Sequence, residues 1–290
     1  MKNAPPAKPD FWPRLLFAVW VYTLLVILWG AWVRISHSGD GCGDHWPLCG
    51  GNFIPDLTQK KTWIEYAHRL MSGVYGLLVI FIFFRFRKHS NPLIGKFSRI
   101  LLFLMSTEAL LGAVLVKSQL VTLNDSVLRL LTMSLHQLNS FLLTGATFLF
   151  YMVLKQNRSN LRISEKYLLI IFGLLPLTGA VAALSTTLFP SVSLWQGILQ
   201  DFSNAPHLFV RLRGLHPLLA TLIAGFFMVW CLSKSLNRLA AEFLVAIAIG
   251  AVTLLTLSPV YLKLTHLLIA HLLWARLLYT LVNLPDSNKR

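Results

Sequence analysis

The chain has 290 residues, 56% of them apolar, and a mean hydropathy of +0.64. That is too apolar for a soluble domain of this length and points to a membrane protein. A formal charge of +15 would suggest nucleic acid in a soluble chain; here it is read by position along a membrane topology, and no nucleic-acid partner is expected.

Apolar runs of about 20 residues recur along the chain, each long enough to cross a hydrocarbon core of roughly 30 Å as a helix. They predict eight spans in the lipid bilayer, at about 14–33, 63–84, 97–116, 131–154, 167–184, 211–232, 240–257 and 260–282. The expected fold class is an all-α integral membrane protein, with eight transmembrane helices arranged as two pseudo-repeated four-helix bundles, 1-155 and 156-290. The first run is too long for a signal-peptide core and lacks a clear small-x-small cleavage site, so it is expected to stay.

Basic residues fall between alternate spans. Lys2, Lys8 and Arg14 precede the first. Arg85, Arg87, Lys88, Lys96 and Arg99 join the second to the third, and Lys155, Arg158, Arg162 and Lys166 the fourth to the fifth. Lys234 and Arg238 join the sixth to the seventh, and Lys289 and Arg290 end the chain. The positive-inside rule puts both termini in the cytoplasm, with a bacterial inner membrane as the expected location.

The opposite face carries two long loops, about 34–62 and 185–210, with turn chemistry at Ser38-Gly39-Asp40-Gly41, Trp46-Pro47 and Phe189-Pro190-Ser191. Long loops gathered on one face are where a site or a lid sits. Cys42 and Cys49 share the first loop. On the oxidising side a disulfide is the favoured reading; free thiols, a redox-active pair and a metal clip are the alternatives. Cys231, at the inner end of the sixth span, is expected to be a reduced packing residue.

The outer end of each odd span carries a small pair: Gly30-Ala31, Gly112-Ala113, Gly179-Ala180 and Gly250-Ala251. Such pairs let helix backbones or a flat ligand approach closely, and ordinary packing or contact between copies in a homo-oligomer explains them as well. Gly30-Ala31-Trp32-Val33-Arg34-Ile35-Ser36 aligns with Gly179-Ala180-Val181-Ala182-Ala183-Leu184-Ser185, which suggests two halves of the same orientation.

Four histidines stand out by depth. His68, His136, His216 and His266 each lie about five residues inside an even span, near the outer surface. A lone intramembrane histidine is more often a hydrogen-bonded packing residue. Four at matched depth are hard to explain that way. Zinc prefers a tetrahedral set with Cys or carboxylate, whereas two imidazoles in an apolar bundle suit an axially ligated haem. The pairs are expected to be His68 with His136 and His216 with His266.

The halves differ three residues before the first histidine of each pair. Glu65 stands there in one and Arg213 in the other, on the histidine's helical face. Arg213 is a candidate partner for haem propionates, with Arg69 and Arg211 as further candidates. Glu65 is a candidate proton acceptor or cation stabiliser; the alternative is a carboxylate paired to Arg69 or Lys61. Glu108, mid-helix in the third span, costs on the order of 2–3 kcal/mol to insert unless neutral or paired; it is read as a proton-path residue or a protonated packing residue. His271 faces away from His266. His37, His45 and His207 fall near the outer loops and are expected to be solvated, and His89 falls in an inner basic loop.

The stretch from Gly30-Ala31-Trp32-Val33-Arg34-Ile35-Ser36-His37-Ser38-Gly39 through Cys42-Gly43-Asp44-His45-Trp46-Pro47-Leu48-Cys49 resembles the first loop of haem A synthases. Glu65-Tyr66-Ala67-His68-Arg69 resembles their second-helix motif, and His136, Arg211-Leu212-Arg213-Gly214-Leu215-His216-Pro217 and His266 fit the rest. The resemblance implies an eight-helix oxidoreductase of the respiratory membrane that converts the C8 methyl of haem O to a formyl group, giving haem A for terminal oxidases. It implies substrate haem on His68 and His136 and a haem b cofactor on His216 and His266. It also implies Glu65 as the catalytic acid and a Cys42–Cys49 disulfide. A haem O-producing enzyme and an electron donor are the implied partners. Two departures stand out. The second long loop has no cysteine pair, so packing alone must hold it or it is mobile. Glu108 occupies a place where a neutral polar residue is expected. The rival readings are a b-type di-haem cytochrome taking electrons from quinol and a haem carrier or exporter.

Overall fold

The computed structural model describes residues 11–56, 58–161, 163, 165–203 and 207–284. Lys2, Lys8, Arg162, Lys289 and Arg290, counted above among the inner-side cations, lie outside them. Among the described residues the regular structure is helical, apart from one isolated bridge between Cys49 and Asn52. Eight segments are long and apolar enough to cross a membrane, so the protein is a multi-pass membrane protein.

The first four are α1 (Phe11–Ile35), α2 (Lys60–Phe86), α3 (Pro92–Lys117) and α4 (Val127–Lys155). They begin earlier than the apolar runs suggest, and polar caps start α3 and α4. Asn91 accepts from Leu93 N–H at 3.0 Å, with Pro92 in the first helical turn, where its missing N–H costs nothing. Ser126 Oγ accepts from Arg129 N–H at 3.2 Å.

The rest of the chain forms α5 (Tyr167–Leu188), α6 (Leu194–Phe202), α7 (Leu208–Arg213), α8 (Leu215–Ser233), α9 (Asn237–Leu255) and α10 (Val260–Asn283). The sixth span is α7 and α8 together, broken at Gly214. Pro217 has no N–H to offer the Arg213 carbonyl, and this missing rung coincides with the break.

In the first half each helix meets the next and α4 returns to α1, closing a ring. In the second, α5 packs on α8, α8 on α9 and α9 on α10. The seam between halves is built on α4, which also packs against α5 and α10. Lipid supplies no hydrophobic drive between helices, so close packing must hold this seam. Gly145 provides it. A Cβ there would lie 2.5 Å from Trp274 Nε1, and that indole donates to the Phe141 carbonyl at 2.9 Å and stacks on Phe172. His271 is buried in the same seam, stacked on Phe141 at 3.9 Å, with Nδ1 3.0 Å from Thr144 Oγ1.

Candidate functional site

Each of the four histidines sits beside the small residue of the preceding transmembrane helix. A Cβ built on Gly30 would lie 2.8 Å from His68 Cε1; on Gly250, 3.0 Å from His266 Cε1; on Gly179, 3.2 Å from His216 Cε1; on Gly112, 4.0 Å from His136 Cε1. Gly30, Gly250 and Gly179 therefore make room for imidazole rings, and Gly112 lies beside the fourth at ordinary contact distance.

The rings fall into two groups. His68 and His136 lie within charge-interaction range of each other. His216 and His266 face each other with ring centres 6.3 Å apart and planes at 73°. Two imidazoles binding one metal from opposite sides at about 2 Å each put their ring centres roughly 6 Å apart. His216 Nδ1 is 3.0 Å from Thr178 Oγ1, whose own proton faces the Leu174 and Leu175 carbonyls. The hydroxyl thus accepts from Nδ1–H, which leaves Nε2 with a free lone pair. Nδ1 of His68, His136 and His266 is buried without a hydrogen-bond partner. Among the described residues no three His, Cys, Asp or Glu side chains gather as a metal-binding group; the histidines come in twos. This donor set fits axial haem ligation.

Over the first pair lies a clamped loop. Cys42 and Cys49 form a disulfide with their Cα atoms 4.4 Å apart. Glu65 is buried, 3% exposed. Its Oε2 accepts from the Cys42 N–H at 2.8 Å, and its Oε1 accepts from Arg69 at 2.5 and 3.1 Å. Arg69 also donates to the carbonyls of His45 and Leu48. Thr62 donates to the Gly41 carbonyl at 2.8 Å, and Lys61 pairs with Asp40. Of the two partners expected for Glu65, Arg69 takes the role and Lys61 does not. Gly41 packs so closely on the backbone of Lys61 that any Cβ would collide with it.

Among its described residues, the second loop is not held by apolar packing alone. It contains α6, capped by Ser193, and Arg213 ties it down. Arg213 donates to Asp201 Oδ1 at 2.6 Å and to the Gly197 and Phe189 carbonyls at 3.0 and 3.3 Å. Its guanidinium is thus committed to the loop. Arg211 is exposed.

His45 is exposed as expected, but His37 and His207 are not fully solvated. His37 Nδ1 is buried, and His207 stacks on Phe189 and lies 3.5 Å from Asp125. Three further cations went unnoticed in the sequence as site residues. Arg34, at the outer end of α1, lies within charge-interaction range of Arg129 and Lys263, and its Nη1 is buried without a partner. Arg129 is 2% exposed. These three come from α1, α4 and α10; only contact across the seam brings them together, and no spacing signals it. Thr178 was signalled only by its place beside Gly179.

Residues 13–278 match COX15-CtaA, the cytochrome oxidase assembly protein family. A protoheme IX farnesyltransferase from Thermus thermophilus is 34% identical over 276 residues, covering 88% of this chain and 45% of that protein. The chain therefore spans about half the length of that relative. A heme A synthase from Symbiobacterium thermophilum is 53% identical over 57 residues, 20% of this chain and 18% of that protein. Another, from Shouchella clausii, is 42% identical over 92 residues, 31% of each chain. With the family matched over most of its length, on the fold and the paired histidines just described, the chain belongs to the haem A synthase (COX15-CtaA) family of cytochrome oxidase assembly proteins.

Proposed function

We propose that the protein is a haem A synthase, oxidising the C8 methyl of haem O to a formyl group. In this reading residues 1-155 form the substrate half and residues 156-290 the cofactor half. His68 and His136 bind the substrate haem, and His216 and His266 hold haem b, which when bound supplies one-electron redox chemistry. The observation that carries the reading is the pair of histidine sites with a buried carboxylate over only one of them.

The site residues have distinct tasks. Gly30 makes room for the His68 ring, and Gly112 lies against that of His136. The Cys42–Cys49 loop, anchored through Glu65 and Arg69, closes the outer end and excludes water. The substrate methyl gives up two electrons to an external electron acceptor and a proton to the site, and one admitted water adds to the carbon to give a hydroxymethyl group. A second two-electron oxidation and hydration gives a hydrated aldehyde, which loses water. Loss of electrons from the methyl leaves cationic character on carbon, and Glu65 stabilises it electrostatically. The same carboxylate accepts the released proton. Its position in a dry, clamped pocket strengthens both effects. Arg34, Arg129 and Lys263 join Arg69, Arg211 and Arg213 as candidate propionate partners.

The positive-inside pattern supports cytoplasmic termini in a bacterial inner membrane, with both haem sites near the outer face. A relative named protoheme IX farnesyltransferase, matched over under half its length, supports a haem-farnesylating enzyme as the source of substrate. A redox partner, an electron acceptor for this oxidation in place of the electron donor expected above, completes the set.

Glu65→Gln tests the catalytic role. Gln retains an acceptor for the Cys42 N–H but not the negative charge. Expressed with a haem O source, this variant should keep bound haem and lose haem A formation by about 10²–10⁴-fold. Normal haem A yield would remove Glu65 from the chemistry.

A further inference from the structure

We propose that Glu108 is a positioning residue for His136, acting as the acceptor that fixes its tautomer and tunes the iron it binds. The inference rests on the reading of His136 as a haem ligand.

The two halves treat their histidines differently. His216 Nδ1 faces a neutral hydroxyl, Thr178 Oγ1, at 3.0 Å. His136 Nδ1 is buried without a hydrogen-bond partner, and Glu108 Oε1 lies 3.5 Å from it. That is past hydrogen-bond length, and a shift of about half an ångström closes it.

The surrounding network orients the carboxyl for this contact. Asn139 Nδ2 faces the Leu104 carbonyl at 2.9 Å, a group that can only accept. This assigns Nδ2 as the donor side of the amide, and Thr107 Oγ1 donating to Asn139 Oδ1 at 2.9 Å agrees. The same Nδ2 donates to Glu108 Oε2 at 2.5 Å. Ser140 Oγ contacts Oε1 and also lies 3.0 Å from the His136 carbonyl. Asn139 and Ser140 thus hold the acid in place, Thr107 and Leu104 orient Asn139, and Oε1 is turned toward the imidazole. With Oε1 as acceptor, Nδ1 carries the proton and Nε2 presents its lone pair to the iron.

A carboxylate behind a metal-bound histidine fixes the ring and raises its basicity, and losing such a partner typically costs 10–100-fold in metal affinity. It also favours the oxidised iron, since the ligand pushes more electron density onto it. The structure therefore gives the first half a carboxyl partner where the second half has a hydroxyl. This explains an acid at a depth where insertion is costly.

The test uses the full chain in detergent, carrying His216→Ala and His266→Ala so that added haemin reads one site. Haemin affinity and midpoint potential are measured for this parent and for the same chain with Glu108→Gln, Glu108→Leu or His136→Ala. Glu108→Gln, nearly the same shape, should raise the potential and weaken haemin binding about 10-fold. Glu108→Leu should weaken it toward 100-fold. If Glu108→Leu fails to fold, the potential of Glu108→Gln decides. An unchanged potential in Glu108→Gln, with haemin binding lost in His136→Ala, would overturn the role of Glu108 and leave the histidine site intact. Haemin binding at parent strength in His136→Ala would overturn both.

Discussion

The residue three positions before the first histidine of each pair has opposite charge in the two halves, and the loop above it is complementary in each case. In the first half Glu65 accepts from a loop N–H, with Arg69 bridging to the loop carbonyls of His45 and Leu48. In the second Arg213 donates to a loop carboxylate and two loop carbonyls. The first loop is also closed covalently, by Cys42–Cys49; the second contains α6 instead. The position therefore docks the loop in both halves, whatever its charge. Only the first half gains a buried carboxylate over its histidines as a result. Loop docking and chemistry share one residue there, and experiments must separate them.

The broadest division is between the histidine pairs. His216→Ala or His266→Ala should abolish haem b binding, one equivalent per protein, with the substrate-side pair unaffected. His68→Ala or His136→Ala should do the reverse. Absorbance and haem extraction distinguish the two outcomes, and equal loss from both sites in any one variant would break the division into halves.

Next in size are the docking pairs. Arg69→Met leaves Glu65 buried without its cation, and Arg213→Met leaves Asp201 unpaired. Breaking a buried pair by removing one partner costs about 3–5 kcal/mol. Asp201 is the more exposed acid, at 23% against 4% for Glu65, so Arg69→Met should destabilise more. Thermal unfolding in detergent checks this, and a larger loss from Arg213→Met would reverse the comparison.

The glycines give the finest gradation. Gly30→Ala puts a methyl 2.8 Å from His68, whereas Gly112→Ala has 4.0 Å to His136. Overpacking costs about 1–3 kcal/mol, so the first should displace its ring and the second should be nearly silent in the haem spectrum.

The spans and the four histidines were legible in the sequence because both follow from local pattern, apolar run length in one case and matched depth in the other; that the glycines face the imidazoles was not, since those contacts form between helices. Helix ends were not. Hydropathy locates the bilayer core, while Asn91 and Ser126 start their helices well outside it. The second loop was misread because its anchor is a single arginine whose acceptors are one acid and backbone carbonyls, which leave no mark in composition. The loop acceptors of Arg213 were hidden for the same reason. The partners of Glu108 were hidden by distance, since Asn139 and Ser140 meet it only when α3 packs on α4.

The most direct test is haem extraction and mass analysis of the purified protein after expression with a haem O source. The account expects haem b together with haem O and haem A, or a hydroxylated intermediate between them. Haem b alone, with haem O available, would contradict it and make the protein an electron-transfer cytochrome.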